Sequence, residues 1–245
     1  MWQAWTTVAL DLLFPPFCAL CRARLGEGRH DPLCGSCWQG LERLVPPLCR
    51  TCGRPFGSFE PAPPLERSPC EPCRRRPPPF TYARAATLYG ERVREALFCL
   101  KFGGNTAMAR PLGDLMAEAG STMVSVKEID CLIPVPLHPS REAERGFNQA
   151  RLLARRVSRR WGVPVEAKAL RRHRPTSSQT DLGAEERREN VKGAFALRRP
   201  DVIAQRHVLL IDDVFTTGAT VSECARVLVA GGAAAAGVLT VARVP

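Results

Sequence analysis

No stretch of this 245-residue chain stays apolar for the length a membrane crossing requires. No secretory leader is expected either: Trp2 to Phe17 is apolar in part, but it lacks a basic start and carries Asp11. That segment is expected to pack amphipathically, and the chain is expected to be cytoplasmic. Aromatic residues are sparse at 7%, and few stand beside arginines in an exposed-looking context, so no base-stacking platform is evident. Acidic residues fall short of basic ones, 24 against 35, for a formal charge of +11. That balance suits an anionic partner, and a pyrophosphate-bearing substrate or a nucleic acid satisfies it equally.

The most informative segment runs from His207 to Thr220. Val208 to Ile211 reads as a buried parallel strand, and Asp212 and Asp213 follow where such strands open their ligand crevice. Thr216 to Thr220 then offers hydroxyls and backbone N–H groups at a helix start, a natural seat for a phosphate. Gly218 lets the backbone approach an anion without a side chain intervening. Acids beside a phosphate cradle point to a ligand with both phosphate and hydroxyl groups, such as a sugar phosphate.

Eleven cysteines are present, and eight form the CxxC pairs Cys18/Cys21, Cys34/Cys37, Cys49/Cys52 and Cys70/Cys73. Gaps of 12 and 17 residues separate the first two and the last two pairs. Both gaps suit closed four-thiolate zinc sites, so two structural Zn²⁺ ions are expected, with the pairing of the knuckles open. A disulfide framework competes, but it belongs to secreted chains. Cys99, Cys131 and Cys224 lie in apolar contexts and read as core.

Pro77 to Pro79, after an arginine triplet, reads as a stiff linker. Residues 1–79 are expected to form a zinc module and 80–245 an α/β domain. Strands are expected at Tyr82–Tyr89, Ile129–Val135, Val163–Ala167, Val191–Leu197, Val208–Val214 and Gly237–Val244. Helices are expected at Glu91–Phe102, Met108–Ala119, Glu144–Trp161 and after Thr220. The alternation implies a parallel sheet with helices on both faces. Leu170 to Phe195 reads as a long, polar, mobile loop holding Arg172 to Thr180 and Arg187 to Val191. His173 reads as a loop residue, not a general base.

The segment 207–220 resembles the phosphoribosyl-pyrophosphate loop of the type I phosphoribosyltransferases. The knuckles, Lys101-Phe102-Gly103-Gly104, Pro134-Val135-Pro136 and Arg145-Gly146-Phe147-Asn148-Gln149 together resemble the ComF/GntX family, over essentially the whole chain. This resemblance implies a type I phosphoribosyltransferase fold with an N-terminal double zinc ribbon. It also implies that phosphoribosyl pyrophosphate binds with Mg²⁺. Asp212 and Asp213 would take the ribose hydroxyls, and Thr216, Thr217, Gly218, Ala219 and Thr220 the 5-phosphate. By loop position and charge, Arg174 and Arg188 are candidates for the pyrophosphate. The implied chemistry displaces pyrophosphate from the anomeric carbon in favour of an unidentified acceptor, in the setting of DNA uptake and its machinery proteins. The chain opens Met1-Trp2, so loss of the initiator Met exposes no cysteine nucleophile, and glutamine-dependent amidotransfer is not expected.

Two further classes share these features. One is a non-catalytic factor binding single-stranded DNA, with Arg151, Arg155 and Arg159 at four-residue intervals as a phosphate-tracking stripe. A solvated helix face explains the same stripe. The other class is a sensor that binds phosphoribosyl pyrophosphate without turnover.

Overall fold

The computed structural model describes residues 16–26, 31–56, 69–176 and 183–245. Of the segment read from Trp2 to Phe17, residues 2–15 lie outside them, as does Ser177 to Thr180 of the expected polar loop. A parallel sheet organises the rest. Its strands are β1 (Tyr82–Leu88), β2 (Cys131–Pro134), β5 (His207–Phe215) and β6 (Ala235–Arg243), in the order β1-β6-β5-β2. β3 (Leu170–Arg172) and β4 (Phe195–Leu197) form a separate antiparallel pair.

Period-2 alternation in β5 supplies a core on each side of the sheet. Leu209 and Ile211 pack with Leu132, Leu239 and Val241 on one face. There they meet α3 (Glu91–Lys101), α4 (Ala109–Met123) and α6 (Gln149–Trp161). Val208 and Leu210 pack on the other face with Ile133, Ala236 and Val238, under α8 (Ala219–Ala230) and the β3–β4 pair. Both faces of β5 are dry, which is why its sequence is an unbroken apolar run rather than an alternating one.

Three expected elements come out differently. The helix expected from Glu144 is two helices, α5 (Pro139–Arg145) and α6, because Gly146 takes a left-handed φ of 81° and stops the first. Asn148 starts the second by accepting hydrogen bonds from the N–H groups of Ala150 and Arg151. The strand expected at Val163–Ala167 is reduced to a single bridge between Val165 and Leu132, since Pro164 has no N–H to extend the ladder. The stretch from Leu170 to Phe195 carries β3 and α7 (Ala184–Val191), so the strand expected from Val191 begins only at Phe195.

The cysteine-rich segment, with its short helices α1 (Gly35–Gln39) and α2 (Glu71–Arg75), caps the sheet edge. Arg43 bridges Thr87 of β1, and Leu44 N–H donates to Ala86 O at 3.1 Å. The otherwise unpaired edge of β1 is thereby covered. The thiols of Cys18, Cys21, Cys34 and Cys37 converge in one group and those of Cys49, Cys52, Cys70 and Cys73 in another, each with its sulfurs within 4.8 Å of one another. Knuckles therefore pair in sequence order. A tetrahedral zinc with sulfurs at 2.3 Å needs them about 3.8 Å apart, so both groups fit the ion. N–H groups of Cys52 and Cys70 donate to the Cys49 sulfur, the support a zinc-bound thiolate needs. The two groups straddle the sheet: Cys18 and Cys37 join the core of one face, Cys49, Cys52 and Cys70 that of the other.

The second group is held against β1 by close backbone contact. Ala83 N–H donates to Thr51 O at 2.6 Å, and Gly53 adopts φ +69°, where a Cβ would stand 2.5 Å from Ala83 O. Arg243, at the end of β6, donates to Cys52 O at 2.8 Å and lies 4.6 Å from the Phe215 ring centroid. Cys131 and Cys224 are buried as expected, while Cys99 is half-buried.

Elemental analysis of the purified chain is expected to return two zinc equivalents, and Cys49→Ser/Cys52→Ser one. Gly53→Ala is expected to destabilise by more than about 1 kcal/mol in urea unfolding, since it adds both backbone strain and a clash. A neutral result would show that the ribbon does not press on β1.

Candidate functional site

β2 ends at Pro134, opposite Ile211 of its neighbour, while β5 continues to Phe215. Asp212 and Asp213 therefore emerge beyond the end of β2, and a cleft of about 480 Å³ opens there. Its walls are Val135 to His138 after β2, Asp212 to Thr216 of β5, the start of α8, the end of α3, and side chains from α5 and β3. The carboxyl edge of a parallel sheet is where such crevices form, because the loops there diverge.

Asp213 is 5% exposed and ion-paired to Lys101, the last residue of α3. Both carboxylates also anchor locally: Asp212 Oδ1 accepts from Asp213 N–H, and Asp213 Oδ1 from Val214 N–H, each at 2.9 Å. Burial pushes the Asp212 carboxyl well above the usual range, and the neighbouring Asp213 charge adds to the effect. Burial acts on Asp213 in the same direction, but the Lys101 ammonium outweighs it and holds this carboxyl below the usual range. One acid is thus kept ionised, while the other is poised to meet a cation or hydroxyl donors.

Phe215 ends the strand, and Gly218 turns the chain into α8 with φ +76°. A Cβ at Gly218 would lie 2.5 Å from the Phe215 ring, so only glycine fits this turn. Thr216, Gly218, Ala219 and Thr220 line the cleft, with the N-terminal end of the 12-residue α8 facing it. Thr217 lines a separate cavity of about 620 Å³ behind the loop.

The cleft's guanidiniums are not the two expected from the sequence. Arg174 is exposed and donates to the carbonyls of Asn190 and Lys192 at 3.0 and 2.7 Å. Arg188 pairs with Glu185 at 2.6 Å and lines the cavity behind the loop. Arg172 and Arg145 line the cleft instead. Arg172 sits 5.4 Å from the Phe195 ring centroid, and Arg145 donates to Gln149 Oε1 at 2.7 Å. Lys101 escaped notice as a site residue because at the end of an amphipathic helix it reads as a C-terminal cap. The Gly-Gly-Asn that follows it was the available signal, since it turns the chain sharply beside the cleft. Of the arginine stripe, Arg151 pairs with Glu142 at 3.0 Å, while Arg155 and Arg159 are exposed. Their neighbour Arg156 is bidentate to Asp114.

A family profile for the double zinc ribbon domain matches residues 9–74. The chain is 34% identical over 228 residues to DNA utilization protein YhgH of Escherichia coli K12, covering 91% of this chain and 95% of that one. Competence protein F of Haemophilus influenzae is 29% identical over 215 residues, 86% of this chain and 90% of that protein. Competence protein ComFC of Bacillus subtilis is 29% identical over 209 residues, with 84% and 81% covered.

The two aspartates are expected to respond oppositely to neutralisation. A carboxyl held below its unfolded pKa adds stability that disappears as pH falls; one held above costs stability as pH rises through its folded value. At neutral pH, Asp212→Asn should therefore raise the urea midpoint. Asp213→Asn should lower stability by on the order of 3 kcal/mol, because Lys101 is left without its partner. Both differences should shrink in acid, and shifts of the same sign would contradict this account.

Proposed function

Because the chain belongs to the ComF family, we propose that it binds phosphoribosyl pyrophosphate with Mg²⁺ in the cleft and transfers the phosphoribosyl group to an acceptor, in the setting of competence and DNA utilization. One observation carries this reading. Paired carboxylates, one held ionised, share a cleft with a left-handed glycine turn and a helix N-terminus. A sugar phosphate asks for both kinds of group at once.

In this reading Asp212 and Asp213 accept hydrogen bonds from the ribose hydroxyls. The backbone N–H groups and hydroxyls of Thr216 to Thr220 hold the 5-phosphate. Mg²⁺, when bound with the substrate, supplies charge neutralisation for the pyrophosphate, and the Asp212 carboxyl offers it hard oxygen ligands. In transfer, the bond from the anomeric carbon to pyrophosphate breaks and one to the acceptor nucleophile forms. Positive charge developing on the ribose is favoured by the Asp213 carboxylate nearby. Arg145 and Arg172 are placed to offset charge on the leaving group. Arg174 and Arg188 would have to turn from their present partners to reach it.

Calorimetry with phosphoribosyl pyrophosphate and Mg²⁺ tests the assignment. Wild type is expected to bind, and Asp212→Asn/Asp213→Asn to lose binding while retaining zinc. A zinc-loaded, folded wild type that does not bind would sink the proposal. Binding without pyrophosphate release to any tested nucleophile would favour a sensor over a transferase.

A further inference from the structure

β6 ends beside the turn that leads into α8, and one side chain there touches both that turn and a zinc ribbon. Arg243 is 7% exposed and stands opposite Phe215 of β5 in the sheet register. Its guanidinium donates to Cys52 O at 2.8 Å and to the Cys52 sulfur at 3.6 Å, and it lies 4.6 Å from the Phe215 ring centroid. Phe80, next after the proline run, meets the same ring edge-on with centroids 6.0 Å apart. Gly218 presses on this ring as well, since a Cβ there would stand 2.5 Å from it. Cys52, Arg243, Phe215 and Gly218 thus form one continuous row of contacts.

Among the described residues, the turn is not packed solidly from that side. The cavity of about 620 Å³ is walled by Thr216, Thr217 and Ala219 and by Cys52, Cys70 and Cys73. Arg243 and Phe215 line it too, so their contact bridges a hollow rather than sitting in a filled core. The bridge is also tied electrically to the metal site. Among the described residues no carboxylate pairs with Arg243, and the sulfurs of Cys52, Cys70, Cys49 and Cys73 are the negative groups around it. Zinc held by four thiolates keeps a net negative charge, which is the partner a buried guanidinium needs. Cys18 and Cys37 of the first ribbon belong to the core of the opposite face.

We infer that Arg243 is a positioning residue through which zinc in the second ribbon holds the Gly218 turn in its anion-binding shape, so that occupancy of this ribbon regulates the phosphate site. The ion fixes the Cys49–Cys52 knuckle, and the knuckle's carbonyl and sulfur fix the guanidinium. The guanidinium in turn fixes the ring against which the turn is formed. Coupling of this kind is reciprocal: whatever affinity the phosphate site gains from the zinc, the zinc gains from the bound anion. This control rests on the turn being the phosphate seat proposed above, and it adds a regulator to that reading.

Two measurements on the full-length, zinc-loaded protein test it. The first is hydrogen exchange of the 212–222 peptide, read by mass spectrometry without any ligand. Arg243→Lys keeps the charge but loses the planar fork that serves carbonyl, sulfur and ring together, and Phe215→Leu keeps apolar bulk without a ring face. Each is expected to speed exchange in this peptide by on the order of tenfold while α6 peptides keep the wild-type rate. The second follows zinc release to a colorimetric chelator, expected in two phases, one for each ribbon. Phosphoribosyl pyrophosphate with Mg²⁺ should slow one phase by about tenfold in wild type and leave it unchanged in Arg243→Lys. An arginine that merely stabilised the fold would not make zinc release depend on ligand. The wild-type arm needs no variant, so it decides even where a substitution fails to fold. Wild-type exchange of the peptide in both variants overturns the inference, and so does faster exchange shared equally by α6. A ligand that binds wild type yet leaves both zinc phases unchanged overturns it too. Should the peptide open as expected while phosphoribosyl pyrophosphate fails to bind, the phosphoribosyl reading falls and Arg243 keeps its role at the turn.

Discussion

Burial of β5 on both faces is the constraint on which the rest of the molecule depends. A strand that is dry on either side needs helices above and below, and it needs hydrogen-bonding neighbours along both edges. β2 and β6 supply the edges; α6 and α8 lie on opposite faces. Once the strand is locked this way, the residues at its carboxyl end have no freedom of placement. Asp212 and Asp213 must emerge where β2 has already stopped, and the turn through Gly218 must aim the start of α8 at the same space. The position of the carboxylates is thus a consequence of apolar packing below them.

Placing two acids together in a half-enclosed cleft carries an electrostatic cost, which the structure offsets from an unrelated element. Lys101 arrives from the end of α3 and pairs with Asp213, leaving Asp212, among the described residues, without an ion pair of its own. A ligand that brings a divalent ion or hydroxyl donors improves the surroundings of Asp212 directly. Preorganisation of this kind leaves the cleft charged and oriented before any ligand arrives.

The zinc ribbons are more than an appendage. They cover the edge of β1 and contribute to the core on both sides of the sheet, so metal binding and the stability of the α/β part are physically joined. Arg243 and Phe215 carry that join to the Gly218 turn, since the guanidinium links Cys52 O to the ring against which Gly218 packs. A proline-rich segment lies between the two parts, yet it does not hold them separate.

Local composition alone determined the four CxxC knuckles, the apolar strand and its acid pair, and the glycine turn, while the pairing of the knuckles into tetrads was left to the tertiary structure. Each depends on residues adjacent in the chain or at fixed knuckle spacing, so short-range chemistry suffices. What only the tertiary structure decided is which distant charges meet. Lys101 reaches Asp213 across more than a hundred residues, while Arg172, not Arg174 or Arg188, faces the cleft. The reason is that a long basic side chain in a polar stretch has no periodicity to orient it. Its direction follows from the packing of β3, α7 and their neighbours, and those contacts form only when the sheet does.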